Sequence, residues 1–396
     1  MKEEDNCIKN IEKMSSTENN RKQKTCICIS CFNHYETRMK HVIRFFDSKG
    51  YKAIYITSDY NHFEKRYFKA DFPNTIQVHV PQYNKNMSFA RIKSQVLFSK
   101  EVYKYIKKTK PDIIFSQFPP NSLVRNLTYY KESAGCKLVL DGYDMWPESL
   151  PLSKTVKRIL KPIFNIWANL RDNNIEKSDL ILAVSSSMVN SVKEKWKRVP
   201  VKLFLPGVIT QDLPSLSFAV DKKLSFCYLG NINHITDIDL MEEVLGELNN
   251  HKMISLHIIG EGQRLDELVR RLNDKGVKVI CHGVVMDTSA KKEIYSLCNM
   301  AINFPREVIQ STMSLKSVEY MGVGLPFINS AGGDTWEIVD RGNIGINVDR
   351  NNLSQGISKI LSLMESDLLK MHNNCIDYSK KRFETQNLED IFKEVL

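Results

Sequence analysis

The 396-residue chain has no run of about 18 apolar residues, so no segment reads as a helix that spans a bilayer. The opening MKEEDNCIKNIEKMSSTENN carries early acids and no apolar centre, and no secretory leader is expected from it. Nine cysteines are odd in number and irregularly spaced. Cys26, Cys28 and Cys31 fall close together, but no second pair or histidine cluster completes four ligands, and in an apolar run cysteine behaves as a small buried hydrophobe. Gly260 and Gly262 of IIGEGQ lack the third glycine of a dinucleotide fingerprint. No basic stretch interleaves with aromatics in the manner of an RNA-binding sheet. Together these absences lead us to expect a cytoplasmic protein without metal, nicotinamide or nucleic acid.

What is present is the composition of a folded globular protein, with 42% apolar and 26% charged residues over a length that suits two or three domains. The net charge of +10 is uneven: residues 1–210 hold 36 Lys and Arg against 20 Asp and Glu, while residues 211–396 hold 20 against 26. A basic half facing a polyanion, nucleic acid or an anionic membrane, is the physical reading. Residues 1–22 are polar and aperiodic and read as a mobile arm. From Lys24 on, short β-branched and aromatic runs alternate with helical segments: TCICIS, YKAIYIT, IQVHV, DIIFSQF, KLVL and LILAVS, then LSFCYLG, ISLHIIG, VKVICHG, MAINFP, LPFINS and IGINV. Such alternation predicts an α/β protein with two Rossmann-like, doubly wound parallel sheets. Pro206, Gly207 and Pro214 interrupt the pattern, which gives domains at 23–210 and 211–380 and a C-terminal helix over 381–396 that returns toward the first domain. Ligands of such sheets bind beyond the carboxyl ends of the strands, so the two domains are expected to face a cleft lined by their βα loops.

The most informative stretch is SLKSVEYMGVGLPFINSAGGDTWEIV, residues 314–339. Ser311, Thr312 and Ser314 are capping residues ahead of a helical run, whose first amides and positive dipole end suit an anion. Lys316 stands in the first turn and Glu319 three residues on, an arrangement that serves a diphosphate and a ribose, or equally forms an ordinary ion pair within the helix. Asp237 and Asp239 precede a helix, where acids favour the first turn without any metal. In SCFNHYETRMKHV, Asn33, His34 and Tyr35 occupy a strand-to-helix turn; His34 suits a ligand contact, a base or a plain exposed turn. Finally, SKTVKRILKPIFNIWANLRDNN sets Val156, Ile159, Leu160, Ile163, Phe164 and Trp167 at helical spacing beside Lys154, Lys157, Arg158 and Lys161. Either the apolar stripe packs on its own sheet or the segment meets phospholipid head groups. Pro162 requires a bend or two short helices there.

The run from YLGNINH through LHIIGEGQRLDELV to LKSVEYMGVGLPFINSAGGDTWEIV resembles the donor domain of GT-B glycosyltransferases of the fourth glycosyltransferase family, which makes bacterial polysaccharides. LVLDGYDMWPESL and LILAVSSSMVNSV resemble segments of its first domain. The resemblance implies a retaining transferase that takes a sugar from a nucleotide diphosphate and passes it to a lipid-linked saccharide for capsule or exopolysaccharide assembly, at the inner face of the cell membrane. It implies donor contacts from Gly230, Asn231, Gly260, Gly262, Ser311, Met313, Ser314, Leu315, Lys316 and Glu319, with Glu319 on the ribose. Acceptor contacts fall to Asn33, His34, Tyr143 and Asp144, and the catalytic roles to Lys316, Arg306 and Asp144. Three positions depart from the family. Ser311 replaces the first of two glutamates separated by seven residues, Asn231 and Thr236 stand where relatives have an Arg and a Lys, and Tyr143 stands for a His. Leaving-group charge therefore rests on Lys316, Arg306 and the amides from Met313 to Leu315. A silent subunit that activates a partner transferase, or an epimerase on the same fold, is the alternative.

Overall fold

A computed structural model describes residues 23–32, 36–62, 64–85, 88–150, 152–205, 216, 218, 223–306, 313–381 and 388–396. The expected arm, Asn33, His34, Tyr35, Ser311, Thr312 and the Pro206–Pro214 stretch lie outside them. The chain packs as two units, one ending at Asp179 and the next beginning at Leu180.

The first unit contains β1 (Thr25–Ser30), α1 (Glu36–Ser48), β2 (Lys52–Ser58), β3 (Tyr60–Asn61), β4 (Arg66–Tyr67), β5 (Thr75–Val78), α2 (Phe89–Thr109), β6 (Ile113–Phe118), α3 (Asn121–Ala134), β7 (Lys137–Gly142), α4 (Lys154–Ile159) and α5 (Lys161–Asp172). The second opens with β8 (Leu180–Ala183), α6 (Ser186–Lys195) and β9 (Val201–Leu203). It continues through β10 (Lys223–Leu229), α7 (Ile238–Asn249), β11 (Met253–Ile259), α8 (Leu265–Asp274), β12 (Lys278–Cys281), α9 (Thr288–Ser296), β13 (Met300–Asn303) and α10 (Leu315–Gly322). It ends with β14 (Phe327–Asn329), α11 (Gly333–Gly342), β15 (Gly345–Asn347), α12 (Leu353–Leu361), α13 (Glu365–Ser379) and α14 (Leu388–Phe392).

All twelve expected strands form, in a seven-stranded sheet of order β5-β2-β1-β6-β7-β8-β9 and a six-stranded sheet of order β12-β11-β10-β13-β14-β15. The second sheet is parallel throughout. Its central strands β10, β11 and β13 read as apolar runs because both faces are covered, while the edge strand β12 is only partly buried. Leu224, Phe226 and Tyr228 of β10 point into a core shared with α7, α8 and α12, while Cys227 points into the core on the other face, with Tyr295 of α9 and Val318 and Met321 of α10. In that order the sheet reverses between β10 and β13, and this is where a doubly wound sheet opens a crevice for a ligand.

In the first unit, a buried ion pair ties α1 to β7. Arg38 donates to both carboxylate oxygens of Asp141 at 2.8 and 2.7 Å, and Gln117 adds a third bond at 3.1 Å. Pro162 lies in the opening turn of α5, and the chain breaks at Leu160 into the two short helices that its ring requires. Leu160, Phe164 and Trp167 are half-buried, but Val156, Ile159 and Ile163 are exposed, so the apolar stripe is only partly consumed by its own sheet.

Removing one partner of a buried pair strands the other's charge, which costs about 3–5 kcal/mol. Asp141→Ala should lower stability by that amount in urea unfolding. Arg38→Met with Asp141→Leu should recover most of it, and a double variant no better than the single would show that Arg38 serves something other than Asp141.

Candidate active site

Helix α10 is fastened where the strands part. Strands β10 and β13 pair from Phe226–Met300 to Cys227–Ala301. Just past that point the Tyr320 hydroxyl accepts from the Leu229 amide at 2.8 Å and donates to the Ile302 carbonyl at 3.3 Å. At the other end of the helix, Ser314 caps it by accepting from the Ser317 amide at 3.2 Å, and its hydroxyl lies 3.2 Å from Asn303 Oδ1. Asn303 in turn donates to Asn329, and Asn329 to Asn347, at 2.7 and 2.8 Å. The three asparagines are in register on neighbouring strands. They make a polar ladder, buried at Asn303 and Asn329 and half-buried at Asn347, that ends on the Ser314 cap. By helix geometry the amides of Leu315 and Lys316 have no partner within α10, so the positive end of the helix stands at the strand reversal.

Lys316 and Glu319 do not pair with each other as a helix-internal reading would have it. The Lys316 ammonium donates to the Tyr228 hydroxyl at 3.0 Å and sits 4.2 Å from the centre of its ring, over Gly230. Glu319 turns to α9: Lys291 and the Tyr295 hydroxyl donate to its Oε1 at 2.6 and 2.8 Å. Among the described residues nothing donates to Oε2.

The turns after β10 and β11 interlock. Gly230 donates to the Ile259 carbonyl at 2.9 Å and Ile232 to the Glu261 carbonyl at 2.8 Å. Gly260 and Gly262 have φ of 148° and 150°, and a Cβ on either would come within 2.1 Å of a carbonyl of the other turn, Gly230 and Ile232 respectively. Only glycine permits this approach. The Asn231 carbonyl closes its own turn by accepting from Thr236 at 3.2 Å, and Thr236 meets the Tyr228 hydroxyl at 3.0 Å. Thr236 thus spends its hydroxyl on the turn that carries Lys316's partner. Met313 is buried in the core beneath α10 and Leu315 is exposed.

Arg306 faces elsewhere. Its guanidinium lies 3.4 Å from Asp239, which also pairs with Arg271 at 2.7 Å, and Asp237 caps α7 while accepting two bonds from Arg350. Both acids are thus held by guanidinium groups.

Tyr143 and Asp144 belong to the first unit, past the end of β7. The Arg38 guanidinium lies 5.7 Å from the Tyr143 ring centre. Burial pushes the Asp144 carboxyl up to about 6, opposed by the charge of Arg91. Arg91 was not singled out from the sequence, nor were Tyr228, Lys291, Tyr295, Tyr320 or the asparagines. Two signals were there to be read: Ile-Asn recurs at 302–303, 328–329 and 346–347, each at a strand end, and Lys291 and Tyr295 are four apart on one helix face.

The family described as Glycosyl transferases group 1 matches residues 223–366, and Glycosyltransferase Family 4 matches residues 35–212. No relative matches among curated protein sequences. Among solved structures, the chain is similar to sucrose-phosphate synthase from Thermosynechococcus elongatus, with a TM-score of 0.69, 14% identity, and 94% of this chain and 99% of that one covered. It is similar in the same coverage to the lipopolysaccharide outer core galactosyltransferase WaaB, at a TM-score of 0.63 and 14% identity. Anabaena HepE, in complex with UDP and glucose, gives 0.63 and 13%, again over 94% and 99%. At such identities the likeness is one of fold.

If Glu319 holds a nucleotide's ribose, Glu319→Gln should weaken nucleotide binding by about 1.5–3 kcal/mol, the worth of a charge-assisted hydrogen bond. Calorimetric titration of the folded variant measures it, and an unchanged affinity would remove Glu319 from the site.

Proposed function

The chain is a glycosyltransferase of the GT-B fold, each half matched by a glycosyltransferase family, and on that premise we propose that it moves a sugar from a nucleotide diphosphate sugar to a lipid-linked saccharide at an anionic membrane surface. The observation that carries the reading is the Lys316 ammonium, held over Gly230 at the reversal of the second sheet, beside the positive end of α10. There a diphosphate gains one full charge and a helix dipole, and both act more strongly as charge builds on the leaving phosphate. Glu319 Oε2 takes the ribose hydroxyls, while Lys291 and Tyr295 hold the carboxylate in place through Oε1. Asn231 and Thr236 add no charge in this account, so Lys316 carries the phosphate with the amides alone. Ser311, where relatives have a glutamate, offers a sugar hydroxyl one neutral hydrogen bond. Retention of configuration and a role in capsule or exopolysaccharide assembly are what the family resemblance implies, and we include them in the proposal.

The membrane part of the reading rests on α4 and α5. Ile159, Ile163 and Ile166 are 71, 52 and 70% exposed, with Lys157, Arg158 and Lys161 alongside. Isolated exposed apolar residues mean little, but a run of them at helical spacing, flanked by cations, matches a helix pair lying in a lipid interface. The excess of basic residues in 1–210 adds attraction to anionic lipid. Among the described residues no helix is long and apolar enough to cross a membrane, so contact would be made from the surface.

One experiment addresses both parts. Incubated with a panel of nucleotide diphosphate sugars, the protein should release nucleoside diphosphate from one of them, slowly to water. Changing Lys157, Arg158 and Lys161 to Glu should leave that release intact, because these residues are not in the second unit. The same change should lower sedimentation with anionic vesicles by roughly 100-fold or more, at on the order of 1 kcal/mol for each charge near the surface. No release from any donor would defeat the transferase reading, and undiminished sedimentation would defeat the membrane reading.

A further inference from the structure

The seven-stranded sheet ends on one side in β5, and among the described residues no strand pairs with the outer edge of β5. Its inner edge meets β2 in parallel: the amides of Tyr55 and Asp59 donate to the carbonyls of Asn74 and Val78, both at 3.1 Å. In such a ladder alternate residues bond to the neighbour, so Asn74, Ile76 and Val78 turn their backbone groups inward while Thr75 and Gln77 turn theirs off the sheet. The Gln77 side chain fastens the segment before the strand, accepting from the Ala70 amide at 2.8 Å and donating to the Phe68 carbonyl at 3.1 Å. The outward amides and carbonyls of Thr75 and Gln77 have no backbone partner among the described residues, and such an edge is a template for another strand.

Beside that edge, β5 and α2 line a groove of about 690 Å³. Ile76, Val78, Pro81 and Leu97, all half-buried, give it an apolar floor, and Lys104 and Lys108 stand exposed on its rim. The rim is strongly cationic, since residues 100–110 hold five lysines and one acid, Glu101. Lys107 and Lys108 lie in the last turn of α2, where they suit the helix dipole, but Lys100 and Lys104 lie before it. Glu101 pairs with Lys104 at 2.6 Å in an exposed contact that salt screens, and Lys108 makes no ion pair among the described residues.

An open backbone edge, an apolar floor and a basic rim select among possible occupants. Hydrocarbon fills the floor but leaves the amides and carbonyls of Thr75 and Gln77 without partners, which an apolar phase penalises. A second copy brings the same excess of basic residues, 36 against 20 over residues 1–210, to a rim that is already cationic. A peptide strand bonds the edge through its backbone, sends alternate side chains into the groove and, where it is acidic, meets the lysines. We propose that β5 and its groove bind an extended acidic segment of a partner protein, which joins the sheet beside Thr75 and Gln77 and sets its acids against Lys104 and Lys108. The proposal is independent of the transferase reading above, because the surface lies wholly in the first unit.

The test uses two fluorescent peptides blocked at both ends, EEVTVTVEE and KKVTVTVKK, with the full chain at low salt. By anisotropy the acidic peptide should bind roughly 10-fold or more tighter than the basic one. Its binding should also slow amide hydrogen exchange over Thr75–Val78, as new hydrogen bonds at the edge require. Leu97→Glu, which sets an acid in the groove, and the double change Lys104→Glu with Lys108→Glu should each weaken binding by roughly 10-fold or more. Each variant is first shown to be folded by its thermal transition. Equal binding of the two peptides, binding of neither, or binding that leaves exchange over Thr75–Val78 unchanged would overturn the proposal. So would protection of that stretch by dimerisation of the free protein, seen by light scattering, or by anionic vesicles in place of the peptide, since a second copy or a lipid would then hold the edge.

Discussion

The site depends on one small junction, the point where β10 and β13 stop pairing and the Tyr320 hydroxyl takes over. Two strands that diverge leave a backbone amide and a carbonyl without ladder partners, and buried groups of that kind are costly to abandon. Tyr320 satisfies both, at Leu229 and Ile302, and in doing so locks α10 to the sheet at the place where it reverses. The Ser314 cap and the ladder of Asn303, Asn329 and Asn347 hold the opposite end. A helix pinned at both ends can aim its amides and one lysine with little reorganisation, which is what stabilising a developing charge demands.

Around that junction glycine and tyrosine place the backbone and the charged side chains. Gly260 and Gly262 let two turns interlock more closely than any side chain allows, and the Tyr228 hydroxyl and ring position the Lys316 ammonium. The two glycines bring the turns after β10 and β11 into backbone contact, while Tyr228 holds the four-carbon side chain of Lys316. Glu319 is served in the same way by Lys291 and Tyr295. Each charged side chain proposed to meet the donor is thus oriented by a neutral tyrosine hydroxyl, and the fold that supplies them is built from strands buried on both faces.

That burial is why so much of the architecture could be read from the sequence. Strands such as LSFCYLG and ISLHIIG are apolar on successive residues because both faces meet helices, and all twelve runs of this kind became strands. The missed elements, β3, β4 and β9, have two or three residues each, too few to show a period. At the site, the cap at Ser314 was legible because capping is a local matter of residue type. The partners of Lys316 and Glu319 were not, since Tyr228 is 88 residues away and Lys291 is 28, and spacing on one helix favours an ion pair that the tertiary contacts override.

The proposed donor site turns on Lys316 meeting a diphosphate, which a paired titration measures. Wild-type protein and Lys316→Met are titrated with a nucleoside and with its diphosphate. The variant should lose roughly 10-fold or more in affinity for the diphosphate, about 1.4 kcal/mol, while its affinity for the nucleoside changes less than about 2-fold. Equal losses for the two ligands, or none for the diphosphate, would contradict it.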